Sequence, residues 1–260
     1  MTTYDDDLRL AHVLADAVER VTMARFRSQD LAVETKPDLT LVSDADRAAE
    51  ELIRSQLSRT RPRDAVVGEE FEPTGHGPRR WIVDPIDGTQ NFVRGVPVWA
   101  TLIALVVSEE PVMGLVAAPA LGRRWWAAKG SGAYAGRSLT SATRIRTSGV
   151  QRLADASISL SSVTSWDALG RTDAVLDLAR DCWRQRAYGD FWSYMLLAEG
   201  SVDIAAEPEL ALYDMAALAP IVTEAGGRFT SLDGTDGVFG GNALATNGHL
   251  HDHVLERIGL

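Results

Sequence analysis

Five carboxylate side chains stand where short apolar segments of the sequence end, at Glu69, Glu70, Asp84, Asp87 and Asp214. Hard divalent cations such as Mg²⁺ prefer oxygen ligands, usually a few carboxylates completed by water and by substrate phosphate. The recurrence of acidic residues at strand ends therefore indicates a site for divalent cations.

The segment RWIVDPIDGTQNF (80–92) carries the most detailed pattern. Its two aspartates, separated by Pro85-Ile86 in a turn, can converge on a metal ion, with the Ile86 carbonyl as a further oxygen ligand. Gly88 lets the backbone approach a ligand closely. A helix beginning at Thr89 would offer free N–H groups to an anion. Carboxylates for a metal beside amides for an anion are what hydrolysis of a phosphate ester requires.

Each fragment also has an ordinary structural explanation. Pro-x-Asp-Gly is common in turns, Glu69-Glu70 fits a solvated turn, and Asp214 suits a helix N-cap. Asp46 is equally ambiguous, because Ser43 predicts an N-cap whose third helical residue, Asp46, completes a capping box. Only the joint occurrence of these fragments favours a functional site.

Helices alternate with strands around these carboxylates. Helices are predicted at 4–28, from Ser43 to Leu57, and at 172–185, 190–199, 214–225 and 250–258, with a kink at Pro220. Strands are predicted at 64–70, at RRWIVDP, in an antiparallel meander from Trp99 to Gly136, and at ASISLSS, VDIAAE and NALATN. The sequence thus predicts a layered α/β protein with antiparallel or mixed sheets. The sequence pattern changes near residue 145, from strand-rich segments to alternating helices and strands. This change divides an N-terminal half, 1–145, from a C-terminal half, 146–260.

Composition limits the partners and the compartment. The 260 residues carry a net charge of −10, and only Lys36 and Lys129 are lysines among otherwise arginine cations. An acidic chain repels nucleic acid on average. The single cysteine, Cys182, excludes an internal disulfide and fits a reducing compartment. No apolar run reaches membrane-spanning length, and the N-terminus is acidic where a signal peptide would be basic. We expect a cytoplasmic protein that binds neither nucleic acid nor membrane.

Three segments resemble the motifs of the inositol monophosphatase family, in the same order. They are GEE (68–70), WIVDPIDGTQNF (81–92) and YDMAALAPIVTEAGG (213–227). The likeness extends to LVSDAD (41–46), KGSGAYAGRSL (129–139) and ALATN (243–247). It covers nearly the whole chain and implies a layered αβαβα sandwich of the metal-dependent sugar phosphatase type. It also implies a homodimer.

The resemblance assigns roles to individual residues. Glu69, Asp84 and the Ile86 carbonyl would hold a first Mg²⁺. Asp84, Asp87 and Asp214 would hold a second, and a third, weaker ion would sit near Glu69. The Gly88 and Thr89 amides would cradle the phosphate. The Thr89 hydroxyl, oriented by Asp46, would position or deprotonate the attacking water, so that Glu69, Thr89 and Asp46 form the catalytic set.

The segment 188–214, which begins YGDFWSY, is similar to the histidinol-phosphate phosphatase branch of that family. Histidinol phosphate carries an ammonium group and an imidazole, and Asp190 and Glu207 could pair with those nitrogens by charge-assisted hydrogen bonds. Phe191 or Trp192 could contact the ring, and Asp214 would also face the substrate. The competing explanation makes Asp190 a helix N-cap and the aromatics core residues.

The leading hypothesis is a Mg²⁺-dependent phosphomonoesterase that converts L-histidinol phosphate to L-histidinol in histidine biosynthesis. One alternative is the same chemistry on inositol 1-phosphate or another small sugar phosphate. An alternative of another class is an interaction protein that keeps the phosphatase fold. The cluster HLHDH (249–253) lacks a partner cysteine and predicts a polar helix start rather than a zinc site.

Overall fold

The structure, a computed structural model, describes residues 4–37 and 40–259. Within these residues the helices are α1 Asp5–Arg25, α2 Asp44–Thr60, α3 Thr89–Val93, α4 Val163–Ala168, α5 Thr172–Asp181, α6 Asp190–Ala198, α7 Leu212–Met215, α8 Leu218–Glu224 and α9 His251–Ile258. The strands are β1 Val33–Thr35, β2 Leu41–Ser43, β3 Ala65–Gly68, β4 Arg79–Asp87, β5 Ala100–Val107, β6 Glu110–Ala118, β7 Arg123–Ala128, β8 Gly132–Ser138, β9 Ser141–Arg144, β10 Ser157–Leu160, β11 Arg184–Arg186, β12 Ile204–Glu207, β13 Arg228–Thr230 and β14 Ala243–Thr246.

Two large sheets organise the chain. The first has seven strands in the sequential order β3 to β9. It is antiparallel from β4 onwards, as the predicted meander requires, and only β3 and β4 run parallel. The second has five strands in the order β11-β10-β12-β14-β13, and its pairs are parallel around β10 and antiparallel around β14. The expected antiparallel and mixed sheets are therefore confirmed.

Helices fill the three spaces outside and between the sheets. Along β5, successive side chains point to opposite faces: Leu102 joins one apolar core and Ile103 the other. Helices α1 and α2 cover the outer face of the seven-stranded sheet, and α6 and α8 lie between the two sheets. Helices α5 and α9 cover the far face of the five-stranded sheet. This order of layers is the αβαβα sandwich.

Some elements differ from those predicted by the local sequence pattern, chiefly in the C-terminal part. The helix predicted at 172–185 ends at Asp181, because Arg184–Arg186 pairs in parallel with β10 as an edge strand. The short elements β1, β2, α4 and β13 were not predicted. The division into halves at residue 145 stays a prediction, since one apolar core contains residues from both sheets.

The helix predicted at 214–225 is two helices, α7 and α8, interrupted at Ala216-Ala217. Pro220 has no N–H to donate to the Ala216 carbonyl, and its ring crowds the preceding turn, so the expected kink appears as this break. A Cβ added to Gly114 would lie 2.1 Å from the Ala217 carbonyl oxygen. The broken turn therefore packs directly onto β6, where only glycine fits.

None of the helices in residues 4–37 and 40–259 combines the length and the apolar character that a bilayer crossing requires.

Candidate active site

Three aspartates from distant parts of the chain form a compact cluster at the end of β4. Asp84, Asp87 and Asp214 each place a carboxylate oxygen within 4.8 Å of the others. Residues three apart on a regular strand point to opposite faces. The pairing of β4 with β5 is irregular between Asp84 and Asp87, and this bulge at Pro85 is what brings the two side chains together.

Each of these aspartates is anchored through one oxygen to a backbone N–H. The Ile86 amide donates to Asp84 Oδ1 at 3.0 Å, and the Phe191 amide donates to Asp87 Oδ2 at 2.8 Å. Asp214, the third residue of α7, accepts from the Ala211 amide at 2.7 Å. No lysine or arginine among the described residues forms an ion pair with the three carboxylates.

The cluster is electrostatically unfavourable for the protein alone. Burial, reinforced by neighbouring carboxylates, raises the pKa of Asp84 and of Asp87 well above the ordinary value. Burial also raises the pKa of Asp214 to about 6. An arrangement that holds three buried acids together without a cationic side chain fits divalent cations, whose charge would stabilise the ionised forms.

Glu69 borders the same cleft, but it is engaged by Lys36. The Lys36 ammonium donates to Glu69 Oε1 at 2.8 Å and to Glu70 Oε1 at 2.7 Å. Glu69 lines the cleft whereas Glu70 does not, which separates two neighbours that the sequence barely distinguished. Burial raises the pKa of Glu69 to about 7, against the lowering effect of Lys36.

The glycine of the GEE segment is required by packing. A Cβ on Gly68 would lie 2.0 Å from Glu50 Oε1. Glu50 is fully buried and accepts hydrogen bonds from Arg54 Nε and from the Glu70 amide, both at 2.7 Å. Gly68 thus lets helix α2 approach the end of β3 and fix the direction of the two glutamates.

Asp46 satisfies both interpretations of the sequence, with one oxygen for each. Its Oδ2 accepts from the Ser43 amide at 2.8 Å in the predicted capping box of α2. Its Oδ1 lies 3.2 Å from Thr89 Oγ1. The Thr89 hydroxyl also lies 2.9 Å from the Ile86 carbonyl oxygen, and its single proton serves one acceptor at a time. Donation to Asp46 would leave the Ile86 carbonyl free for another partner.

Gly88 is the N-cap of α3 and has a left-handed conformation, with φ of 81°. A Cβ there would lie 3.0 Å from the Val98 carbonyl oxygen and 3.2 Å from Asp190 Oδ2. As the first residues of a helix, Thr89 and Gln90 have amides without intrahelical acceptors. Both residues line the same cleft as Asp84, Asp87 and Asp214.

Asp190 reaches the cleft from the second half of the chain. It is the first residue of α6, with Gly189 rather than Asp190 in the N-cap position. Its Oδ2 accepts a hydrogen bond from Asn91 Nδ2 at 2.9 Å. Burial raises its pKa. The Asp190 carboxylate is therefore held by Asn91 of the short helix α3, whose first residues line the cleft.

Two predicted substrate contacts are not brought to the cleft surface. The Phe191 ring is buried in the apolar core, 6.1 Å from Trp125 between ring centroids, so only its amide reaches the site. Glu207 lies at the end of β12 behind Asp190, and burial raises its pKa to about 8. Its Oε1 and the buried Tyr194 hydroxyl have no hydrogen-bond partner among the described residues.

Several cleft residues were missed by sequence reasoning. The open cleft has a volume of about 460 Å³ and is also lined by Thr40, Leu41, Gln90, Asn91 and Tyr188. Tyr188, whose ring makes an edge contact with Trp192 at 5.7 Å, is the aromatic residue that lines the cleft. Lys36 and Asn91 had signals that went unused: a rare lysine in an arginine-rich chain, and a place inside the most specific motif.

The fold and the sequence together define the class of protein. Residues 4–258 match the inositol monophosphatase family, and the chain belongs to that family. The expectation from the three motifs is thereby confirmed.

Individual relatives narrow the comparison. The chain is 65% identical to a histidinol-phosphatase of Streptomyces coelicolor, over 98% of this chain and 97% of the relative. It is 56% identical to a histidinol-phosphatase of Mycobacterium tuberculosis, over 97% of this chain and 98% of the relative. Among solved structures, an IMPase of Thermotoga maritima superposes with a TM-score of 0.87 at 30% identity and covers 97% of this chain and 96% of its own.

Proposed function

We propose that the protein is a Mg²⁺-dependent phosphomonoesterase that hydrolyses L-histidinol phosphate to L-histidinol and phosphate. The observation that carries the proposal is the cluster of Asp84, Asp87 and Asp214, buried beside a helix N-terminus without a cationic partner in the described residues. The similarity to two histidinol-phosphatases supports the choice of substrate.

The donor set fits two to three Mg²⁺ ions. The carboxylates of Glu69, Asp84, Asp87 and Asp214 and the Ile86 carbonyl are hard oxygen donors on one cleft, as Mg²⁺ prefers. When bound, such ions offset the charge of the phosphate and lower the pKa of a coordinated water towards neutrality. Glu69 would have to exchange its ion pair with Lys36 for a metal contact.

The protein's own groups bind and orient the phosphate and the attacking water. The amides of Gly88 and Thr89 would donate to the phosphate oxygens, since phosphoryl transfer is served mainly by positioning and charge stabilisation. When the Thr89 hydroxyl donates its hydrogen bond to Asp46, its oxygen can accept a hydrogen bond from the attacking water. The buried Asp46 carboxylate, whose pKa is raised by burial, fixes that orientation.

The leaving group would be recognised by charge. Asp190 makes this side of the cleft acidic and suits an ammonium group or an imidazolium. Tyr188 is an aromatic residue that lines the same space. An inositol phosphate offers only hydroxyl groups here, so the acidic wall favours the amino-alcohol ester.

We further infer a cytoplasmic homodimer that serves histidine biosynthesis. The family resemblance supports the dimer, and the single cysteine agrees with a reducing compartment. Size-exclusion chromatography with light scattering tests the dimer directly, because one subunit has a mass of 28.2 kDa.

A phosphate-release screen tests the activity. L-Histidinol phosphate, inositol 1-phosphate and fructose 1,6-bisphosphate are compared by kcat/KM, with Mg²⁺ and with EDTA. The proposal predicts the highest value for histidinol phosphate and no turnover after chelation. Preference for inositol phosphate would establish the alternative substrate. Absence of any metal-dependent hydrolysis would favour the non-catalytic interaction protein.

A further inference from the structure

Asp190 has a backbone conformation that aspartate seldom adopts. Its φ is 48°, in the left-handed region, and it directly follows Gly189, whose φ is 86°. A non-glycine residue in this region is strained unless its surroundings hold it there. The strain therefore points to contacts that fix this residue for a purpose other than helix formation.

Two contacts hold Asp190, one on each side of its Cα. On the side chain, Asn91 Nδ2 donates to Asp190 Oδ2 at 2.9 Å. On the backbone, the next amide, that of Phe191, donates to Asp87 Oδ2 at 2.8 Å. Gly88 makes room for the arrangement, since a Cβ there would approach Asp190 Oδ2 to 3.2 Å.

The type of donor matters as much as its position. Asn91 is neutral, so it orients the carboxylate without cancelling its charge, as an arginine or lysine would. No ion pair of the described residues includes Asp190, and its second oxygen, Oδ1, makes no hydrogen bond among them. An oriented carboxylate with a free oxygen in a cleft is a receptor for a cation.

The position of Asn91 on α3 connects this receptor to the phosphate seat. The first two residues of that helix, Thr89 and Gln90, line the cleft immediately before Asn91. A five-residue helix is a short rigid link, so the distance between the phosphate seat and Asp190 Oδ1 is fixed by one element. Such a fixed distance would select esters by the separation of their phosphate and their cationic nitrogen.

We propose that Asn91 is a positioning residue that sets substrate specificity, by holding the Asp190 carboxylate at a fixed distance from the phosphate seat to receive the cationic nitrogen of the leaving group. This inference rests on the proposed hydrolysis of histidinol phosphate. Asn91 acts through Asp190 and touches neither the phosphate nor the attacking water.

The test is a double-mutant cycle with two substrates. Wild type, Asn91→Ala, Asp190→Ala and the double variant are assayed with L-histidinol phosphate and with p-nitrophenyl phosphate, which carries no cationic nitrogen.

Loss of a hydrogen bond to a charged group predicts an increase of about tenfold in the KM of Asn91→Ala for histidinol phosphate, with little change in kcat. For p-nitrophenyl phosphate, kcat/KM should change by less than about twofold. The double variant should be no worse than Asp190→Ala, because Asn91 acts only through that carboxylate.

Matched controls separate positioning from folding. Val93→Ala alters another residue of α3 that does not line the cleft and should leave the preference between the two substrates unchanged. Asn91→Ser supplies a smaller variant should Asn91→Ala fail to fold, as judged by its thermal unfolding. Titration with L-histidinol alone measures the cation receptor without phosphate, and its affinity should fall in parallel with 1/KM.

The outcomes distinguish two failures. A wild-type enzyme that does not hydrolyse histidinol phosphate would overturn the proposed function and this inference with it. An active wild type, with Asn91→Ala equally impaired on both substrates or with additive effects in the double variant, would overturn only the inference. Asn91 would then support α3 itself.

Discussion

Two groups of buried carboxylates in this protein are treated in opposite ways. Asp7 and Asp64, where α1 meets the start of β4, are matched by cations: Arg61 Nε lies 2.9 Å from Asp7, and Arg79 bridges both acids. Asp64 also accepts from the Trp81 indole at 3.0 Å. Asp84, Asp87 and Asp214 of the cleft each accept a hydrogen bond from a backbone amide and form no ion pair with a lysine or arginine among the described residues.

The contrast shows what each group is for. Paired buried carboxylates serve the folded chain, because removal of either partner leaves an uncompensated charge. The cleft aspartates repel one another and make the chain alone less stable, a cost that is reasonable only where an external cation completes the site. One set of acids is therefore compensated within the protein, and the other is left without a cationic side chain, as the proposed metal site requires.

The largest expected effect is that of Asp84→Asn. We expect kcat/KM to fall on the order of a thousandfold, because a central metal ligand is lost. In EDTA the same variant should melt higher than wild type, by about 2–4 °C for roughly 1 kcal/mol of relieved repulsion. Phosphate release and thermal unfolding measure the two effects. A lower melting temperature in EDTA would contradict the account of the cleft.

Asp64→Asn is the matched change in the paired group. It leaves Arg79 and Trp81 with a neutral partner, and we expect a loss of about 1–3 kcal/mol in the free energy of unfolding. Turnover at saturating substrate should stay within about twofold of wild type, since Asp64 lies outside the cleft. Urea denaturation and steady-state kinetics check both. An increase in the free energy of unfolding of Asp64→Asn would contradict the stabilising role assigned to the paired carboxylates.

The pH dependence of stability, measured with and without Mg²⁺, should distinguish the cleft carboxylates from the paired carboxylates. The raised pKa values of Glu69, about 7, and Asp214, about 6, mean that the folded protein keeps protons there which the unfolded chain has lost by about pH 5. The folded, metal-free protein is therefore destabilised increasingly as pH rises from about 4 to 7.

Mg²⁺ removes that penalty, because it requires the ionised forms. The increase in melting temperature on adding Mg²⁺ should thus be small at pH 5 and largest near pH 8. The buried His12 and His251, whose pKa values burial lowers to about 4, act in the opposite direction. They contribute equally with and without metal, so the difference between the two melting curves isolates the cleft. A Mg²⁺ effect independent of pH would argue against it.

The smallest expected effect concerns Lys36, which pairs with Glu69 of the cleft. Lys36→Met removes the ion pairs to Glu69 and Glu70, so Mg²⁺ no longer competes with an ammonium group for Glu69. We expect tighter Mg²⁺ activation, on the order of threefold, and a slightly less stable metal-free protein. Activity as a function of Mg²⁺ concentration measures the shift. Weaker activation would show that Lys36 assists the metals.

Features encoded by neighbouring residues were predictable from the sequence. The capping box of Ser43 and Asp46 follows from three residues of spacing, and the Asp84–Asp87 turn needs only Pro85 to interrupt the strand. The meander was predicted for the same reason, since its turns are short. Asp214 was placed by resemblance to a motif, and the structure puts it in the cluster.

Features decided by distant contacts were not predictable. The helical pattern of 172–185 stops at Asp181 because β10 needs a neighbour at its edge. Phe191 is adjacent to Asp190, yet its ring enters the core between the sheets, which no local pattern specifies. Lys36 reaches Glu69 across 33 positions of sequence. Aromatic and cationic residues near a motif thus identify a neighbourhood, but tertiary packing selects the member that faces the ligand.

The divided carboxylate of Asp46 limits how this enzyme can vary. One oxygen accepts from the first turn of α2 and the other lies within hydrogen-bonding distance of the Thr89 hydroxyl, so a substitution that removes both oxygens loses both roles at once. Asparagine could keep the helix terminus with its carbonyl, but its NH₂ would donate to Thr89 and turn the hydroxyl proton towards Ile86. A related protein with asparagine at this position could therefore keep the fold and lose catalysis. The change would be visible in the direction of the Thr89 hydroxyl proton, not in the stability of the fold.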